Sequence, residues 1–151
     1  MISELKQQLK SAAEIYVEDR IKKIHIAIAD LEEALKLETK CSMGDKYETG
    51  RAMLHLEFEK LSGQLEQLNR LKKTVSLINE QQNSKKVEFG SMVKTAKINY
   101  FISIPAGEIE TGGDKFYAIG AGSPIAQAMM GMREGESFVF NEKSNTVLSV
   151  I

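Results

Sequence analysis

The sequence predicts an α+β protein, with an N-terminal antiparallel pair of long helices followed by a small β-rich domain carrying one short helix. Three observations predict it. Residues 3–38 contain neither proline nor glycine and place apolar side chains at spacings of three and four. A second stretch, from Leu54 to Val75, keeps a heptad spacing. Beyond residue 86 the pattern changes to short runs of period two, punctuated by glycines.

In the first helix Leu5, Leu9, Ala12 and Tyr16, then Ile24, Ile28, Leu31 and Leu35, make one apolar stripe. Asp19 and Arg20 interrupt it midway, where the seam either loosens or makes a contact; a solvated patch is the plainer reading. In the second helix Leu54, Phe58, Leu61, Leu65, Leu68 and Val75 alternate steps of four and three, with Lys72 filling the missing seam position. Thr39-Lys40-Cys41-Ser42-Met43-Gly44 between them is a polar turn of the length that joins antiparallel neighbours. At a rise of about 1.5 Å per residue each arm is roughly 50 Å long. A rod that buries one stripe per helix serves reach rather than enclosure, so no pocket is expected on it.

The polar stretch Asn79-Glu80-Gln81-Gln82-Asn83-Ser84-Lys85-Lys86 suits a helix end and a linker. It divides the chain into a hairpin, residues 1–84, whose acidic tip lies near 41–50, and a second unit, residues 85–151. There Ile98, Tyr100, Ile102 and Ile104 alternate with other residues, and Phe116–Ile119, Phe138–Phe140 and Val147–Ile151 are further β-type runs, with Gly107, Gly112-Gly113, Gly120 and Gly122 as turns. Ser123 before Pro124 is an N-cap followed by proline at the first helical position, and Gly131 and Gly135 close the short helix. Met129, Met130 and Met132 cluster there, either as adaptable packing beneath the helix or as a docking contact.

Composition excludes several function classes. With 20 basic and 21 acidic residues the net charge is -1, so no global field holds the chain on nucleic acid or an anionic membrane. No run approaches a membrane span, and the N-terminus lacks the basic-then-apolar order of a signal peptide, which predicts a cytoplasmic protein. Cys41 is the single cysteine, which rules out an internal disulfide and a Cys-rich zinc site. His25 and His55 each stand alone in a helical pattern and read as solvated or packed side chains. Gly120-Ala121-Gly122-Ser123 lacks the full phosphate-loop pattern.

The chemistry-bearing pair is Asp45 and Glu48. Three residues apart, they share a face if the second helix begins here. Mg²⁺ is usually gripped by one or two protein carboxylates plus phosphate oxygens, so two acids suffice where a partner supplies the rest. The same residues also read as a capping box, with Asp45 at the N-cap and Glu48 at N3.

Gly44-Asp45-Lys46-Tyr47-Glu48 resembles the acidic tip of the Gre transcript-cleavage factors, the transcription elongation family of GreA and GreB. Val87-Glu88-Phe89-Gly90-Ser91-Met92-Val93 is similar to the opening strand of that family's C-terminal domain. Ser123-Pro124-Ile125-Ala126-Gln127-Ala128-Met129-Met130-Gly131 is similar to its Ser-Pro-Ile/Leu helix, the most specific of the three. The resemblance covers nearly the whole chain in order.

It implies an antiparallel coiled-coil hairpin followed by an FKBP-like domain that docks at the rim of the secondary channel of RNA polymerase. The hairpin would enter the channel and bring Asp45 and Glu48 beside the polymerase's catalytic magnesium, to help hold a second Mg²⁺ and promote hydrolysis of backtracked RNA at its 3′ end. The polymerase is then the enzyme and this chain a non-autonomous activator, a monomer with no cofactor of its own and no affinity for free DNA. Partner contacts would come from Ser123, Pro124, Ile125, Met129 and Met130, and from Arg51.

Thr49-Gly50-Arg51-Ala52 stands where the family commonly has Asn-Ala-Glu-Tyr, so a positive charge replaces a negative one. This leaves open a channel-binding regulator or inhibitor without strong cleavage stimulation. Arg51 could face a phosphate, pair with Glu48, or be an ordinary solvated charge. Two further readings are a coiled-coil assembly protein and an FKBP-like peptide-binding module or proline isomerase. The latter needs an aromatic-lined pocket, whereas the strand patterns assign most of these aromatics to core packing.

Overall fold

A computed structural model describes the backbone of residues 2–40 and 44–151 and the side chains of residues 4–37 and 49–151. Helix α1 spans Ile2–Lys40 and helix α2 Gly44–Ser76. Only residues 41–43 separate the two helices, and residues 20–24 of α1, about as far from that link as residues 64–71 of α2, line one groove with them, so the helices run antiparallel. By contacts the chain forms two compact units: Val17–Lys72, and Met1–Tyr16 together with Lys73–Ile151. This grouping differs from a cut in chain order at 84/85, because the first turns of α1 group with the β-rich part.

In the hairpin unit the seam holds Val17, Leu31 and Leu61 as buried residues, with Ile24, Ile28, Leu35, Leu54, Phe58, Leu65 and Leu68 half-buried. Asp19 and Arg20 are exposed, as a solvated patch would be, and one position, Lys72, departs from the expected stripe. Ile21, next to Arg20, is half-buried, while Lys72 is exposed and Leu71 is half-buried. A lysine at 72 keeps its ammonium in water, and the neighbouring Leu71 supplies the apolar contact, while Val75 is buried on the expected register.

The β-rich unit is a six-stranded sheet of β1 (Met92–Thr95), β2 (Asn99–Ser103), β3 (Gly107–Thr111), β4 (Asp114–Gly120), β5 (Ser137–Phe140) and β6 (Lys143–Val150), in the order β3-β4-β2-β1-β6-β5. All neighbouring pairs are antiparallel except β2 with β4. Helix α3, Pro124–Met129, crosses between β4 and β5. The architecture is therefore α+β, with two long helices followed by a sheet with one short helix.

β2 does not show the simple alternation that its sequence suggests, because Tyr100, Phe101, Ile102 and Ser103 are all buried. It lies inside the sheet, and both of its faces are covered. Tyr100 and Ile102 join Val87, Val93, Ala126, Met129, Phe138 and Val147 in one core. β3 has no counterpart among the expected strands. Only Ile109 of it is buried, and Glu108 and Glu110 are exposed, as suits a charged edge strand that resists pairing with other chains. Gly112 and Gly113 form the β3–β4 turn with φ of 58° and 83°, the two positive values of a type I′ hairpin.

The expected opening strand at 87–93 is broken. Val87 exchanges hydrogen bonds with Gly131 and Met132, a turn at Glu88–Ser91 follows with Gly90 at φ 89°, and the strand begins only at Met92. At the start of α1, Lys6, Leu9 and Ala13 are the buried residues, with Leu5, Ala12 and Tyr16 half-buried beside them, so the stripe sits one residue later than its apolar side chains suggest. Gln8 and Thr111 are 2.5 Å apart through Oε1 and Oγ1, which ties α1 to the end of β3.

Candidate functional site

Positions 45 and 48 fall at the beginning of α2, one turn apart along its backbone. Helix α2 runs from Gly44, so positions 45 and 48 both fall within its first turns. The side chains of Asp45 and Glu48, and Cys41 altogether, lie outside the described residues. Among the described residues no group of three His, Cys, Asp or Glu side chains could hold a metal ion. Arg51, on the next turn, is half-buried and engaged with a neighbouring group.

The second group of candidate residues surrounds α3. Ser123 is its N-cap at φ -67° and ψ 152°; its Oγ accepts from the Ala126 amide at 3.4 Å and donates to the Gly120 carbonyl at 2.7 Å. Pro124 follows at the first helical position, where its missing N–H costs nothing. Gln127 Nε2 donates to the Ala121 carbonyl at 2.7 Å and pins the approach to the helix. This Ser-Pro start fixes which face of six residues turns inward. Met129 is fully buried and Ala126 is buried beside it, while Ile125 and Met130 are half-buried against the same core and Pro124 is exposed. Met129 thus packs the helix onto the sheet and offers no surface to a partner, and Met132 packs on the same core.

Ile125 opens into a shallow pocket of about 190 Å³ lined also by Lys97, Ile98, Tyr100, Phe138, Phe140, Asn141, Lys143 and Asn145. Tyr100, Phe138 and Phe140, among the aromatics that the strand pattern assigns mostly to core packing, therefore also line an open, partly apolar wall. Two tight turns build the rim. Thr95 organises the first: its Oγ1 accepts from the Ile98 amide at 3.0 Å and from Asn145 Nδ2 at 3.1 Å, and donates to the Ile98 carbonyl at 2.6 Å. Asn141 and Glu142, at φ 51° and 64°, form the second, the β5–β6 hairpin turn. Burial, with Tyr117 nearby, pushes the Tyr100 hydroxyl above its usual range, so it remains a neutral donor at the pocket floor. Lys97 and Lys143 are exposed at the pocket, and among the described residues no carboxylate lines it, although Glu142 lies in the adjoining turn. Sequence reasoning missed it because its walls come from turns far apart in the chain; Ile125 alone was a candidate beforehand.

Fold and site together define a two-helix hairpin joined to a sheet domain that bears an apolar, basic-rimmed depression. No protein-family model matches the chain, and no curated protein matches it significantly. Among solved structures, one described as that of the transcription factor Gfh1 is similar, at 15% identity and a TM-score of 0.39, covering 92% of this chain and 93% of that one. No helix among the described residues is long and apolar enough to cross a membrane.

Proposed function

We propose that the chain is a transcription elongation factor of the Gre type that binds RNA polymerase, inserts its helical hairpin into the secondary channel and stimulates cleavage of backtracked RNA. The observation that carries the reading is the pair Asp45 and Glu48 at the start of α2, next to the short link between helices of 39 and 33 residues. Helices of that length span about 50 Å or more, enough to bring their turn into a deep channel. In this reading residues 1–84 are the probe and residues 85–151 the docking domain. The pocket beside α3 receives a side chain of the polymerase rim, with Ser123 and Pro124 shaping its edge and Lys97 and Lys143 facing acidic groups.

Asp45 and Glu48 would hold Mg²⁺ together with ligands supplied by the polymerase and the RNA, and the ion would supply activation of water and charge neutralisation. The chain has no activity alone; the polymerase performs the hydrolysis, in the cytoplasm. Backtracked elongation complexes incubated with the protein and Mg²⁺ should yield RNA shortened from its 3′ end. Asp45→Asn and Glu48→Gln should bind the polymerase as tightly as the parent and lose the stimulation. Full stimulation by either folded variant rejects the reading.

Arg51 favours a second reading. A cation about one turn from Glu48 and two from Asp45 would offset part of their charge, as suits a factor that occupies the channel and inhibits synthesis. Blocked elongation without RNA shortening, relieved by Arg51→Glu, would select it.

A further inference from the structure

The interruption at Asp19 and Arg20 coincides with a groove of about 420 Å³ in the hairpin unit, where the sequence predicts a rod without pockets. Ile24 of α1 and Leu68 and Leu71 of α2 are half-buried at its floor, while Arg20, Lys23, Gln64 and Gln67 stand exposed around it. None of the lining residues carries a carboxylate, so the rim is cationic although the whole chain is nearly neutral. The floor offers an aliphatic surface to a visitor, and the glutamines offer donors and acceptors to whatever flanks it.

We propose that this groove is a docking site for an acidic amphipathic helix of a partner protein, laid between α1 and α2 as a third helix. The lining spans residues 64–71 of α2, about two turns or 10 Å, which accommodates two apolar side chains one turn apart. Carboxylates flanking them would meet Arg20 and Lys23. Met53 and Leu56, 66% and 67% exposed, precede Gln64 and Gln67 by about three turns and so share their face of α2, with Glu57 and Lys60 exposed between. A single RNA strand is disfavoured because the groove has no aromatic side chain on which a base could stack. The proposal is independent of the fingertip acids and of the pocket beside α3.

The test uses the full chain and three fluorescent probes: a synthetic helical peptide with leucines on one face and glutamates on the other, its lysine counterpart, and a single-stranded RNA. Lys23→Glu with Gln67→Glu changes only exposed side chains, and an unchanged circular-dichroism melt establishes that the hairpin remains folded. The parent should bind the acidic peptide, with methyl resonances of Ile24, Leu68 and Leu71 shifting on titration. The double variant should weaken that binding by about tenfold or more and gain affinity for the lysine peptide. Absence of acidic-peptide binding, equal binding by parent and variant, preference for RNA, or shifts confined to other residues would each overturn the proposal.

Discussion

The Lys6 ammonium donates a 2.6 Å hydrogen bond to the carbonyl oxygen of Gln82, in the linker that follows α2. One turn on, Lys10 donates to the Ile78 carbonyl at 2.9 Å and pairs with Glu80 at 3.2 Å. Two cations of α1 thus satisfy carbonyls of the segment that follows α2. Gln82 in turn donates to the Glu88 carboxylate, so the linker is held from both sides.

Lys6 is only 1% exposed, and burial lowers its pKa, an effect that Glu88 partly offsets. Lys6→Ala removes a buried stem and a donor together and should cost about 2–4 kcal/mol in urea unfolding. Lys6→Met refills the volume and should recover most of that loss. The pH dependence has a definite sign. With the folded pKa below the ordinary value of about 10.4, the folded state sheds its proton first, so the burial penalty is full at neutral pH and is relieved as pH rises toward that value. The parent should therefore gain stability relative to Lys6→Met across the alkaline range; a constant difference would refute this.

Glu80 is shifted below the usual carboxylate range, first by its own backbone amide and then by Lys10. Its contribution is present above the ordinary value and lost as pH falls through the lowered one. A carboxyl NMR titration should place its midpoint below that of an ordinary glutamate, and Lys10→Met should move it upward while retaining part of the shift. A midpoint insensitive to Lys10→Met would leave the salt bridge without effect.

The two long helices are readable because their apolar residues recur at helical spacing, and the Ser123-Pro124 start is readable because cap and proline act locally. What the sequence conceals is set by context. Nothing in a lysine announces burial, so Lys6 reads as solvated, and whether Lys72 or its neighbour Leu71 faces the seam is decided only by the packed pair of helices. β3 escapes notice because an edge strand with Glu108 and Glu110 outward has almost no apolar signature. The pocket beside α3 escapes because Lys97 and Lys143 come from different turns that only the β1–β6 pairing brings together.

Ser123→Ala removes an N-cap acceptor and the donor to Gly120 at once, from a helix of only six residues. It should cost about 1–2 kcal/mol in denaturant unfolding. Ser123→Asp keeps the cap and should cost less. Equal losses in both variants would mean that the bond to Gly120, which aspartate cannot donate, is the more important of the two.

Docking and packing beside α3 can be separated by two substitutions. Met129 is fully buried, so Met129→Ala should open a cavity and cost about 2–4 kcal/mol of stability. Lys143 is exposed at the pocket rim, so Lys143→Glu should leave the unfolding midpoint within about 0.5 kcal/mol of the parent. If the pocket receives an acidic partner surface, Lys143→Glu should weaken polymerase binding, chiefly through slower association, with the difference shrinking as salt is raised. Binding kinetics at low and high ionic strength measure both effects. An association rate that Lys143→Glu leaves unchanged at low salt would remove the pocket from the docking surface, whatever Met129→Ala does to the fold.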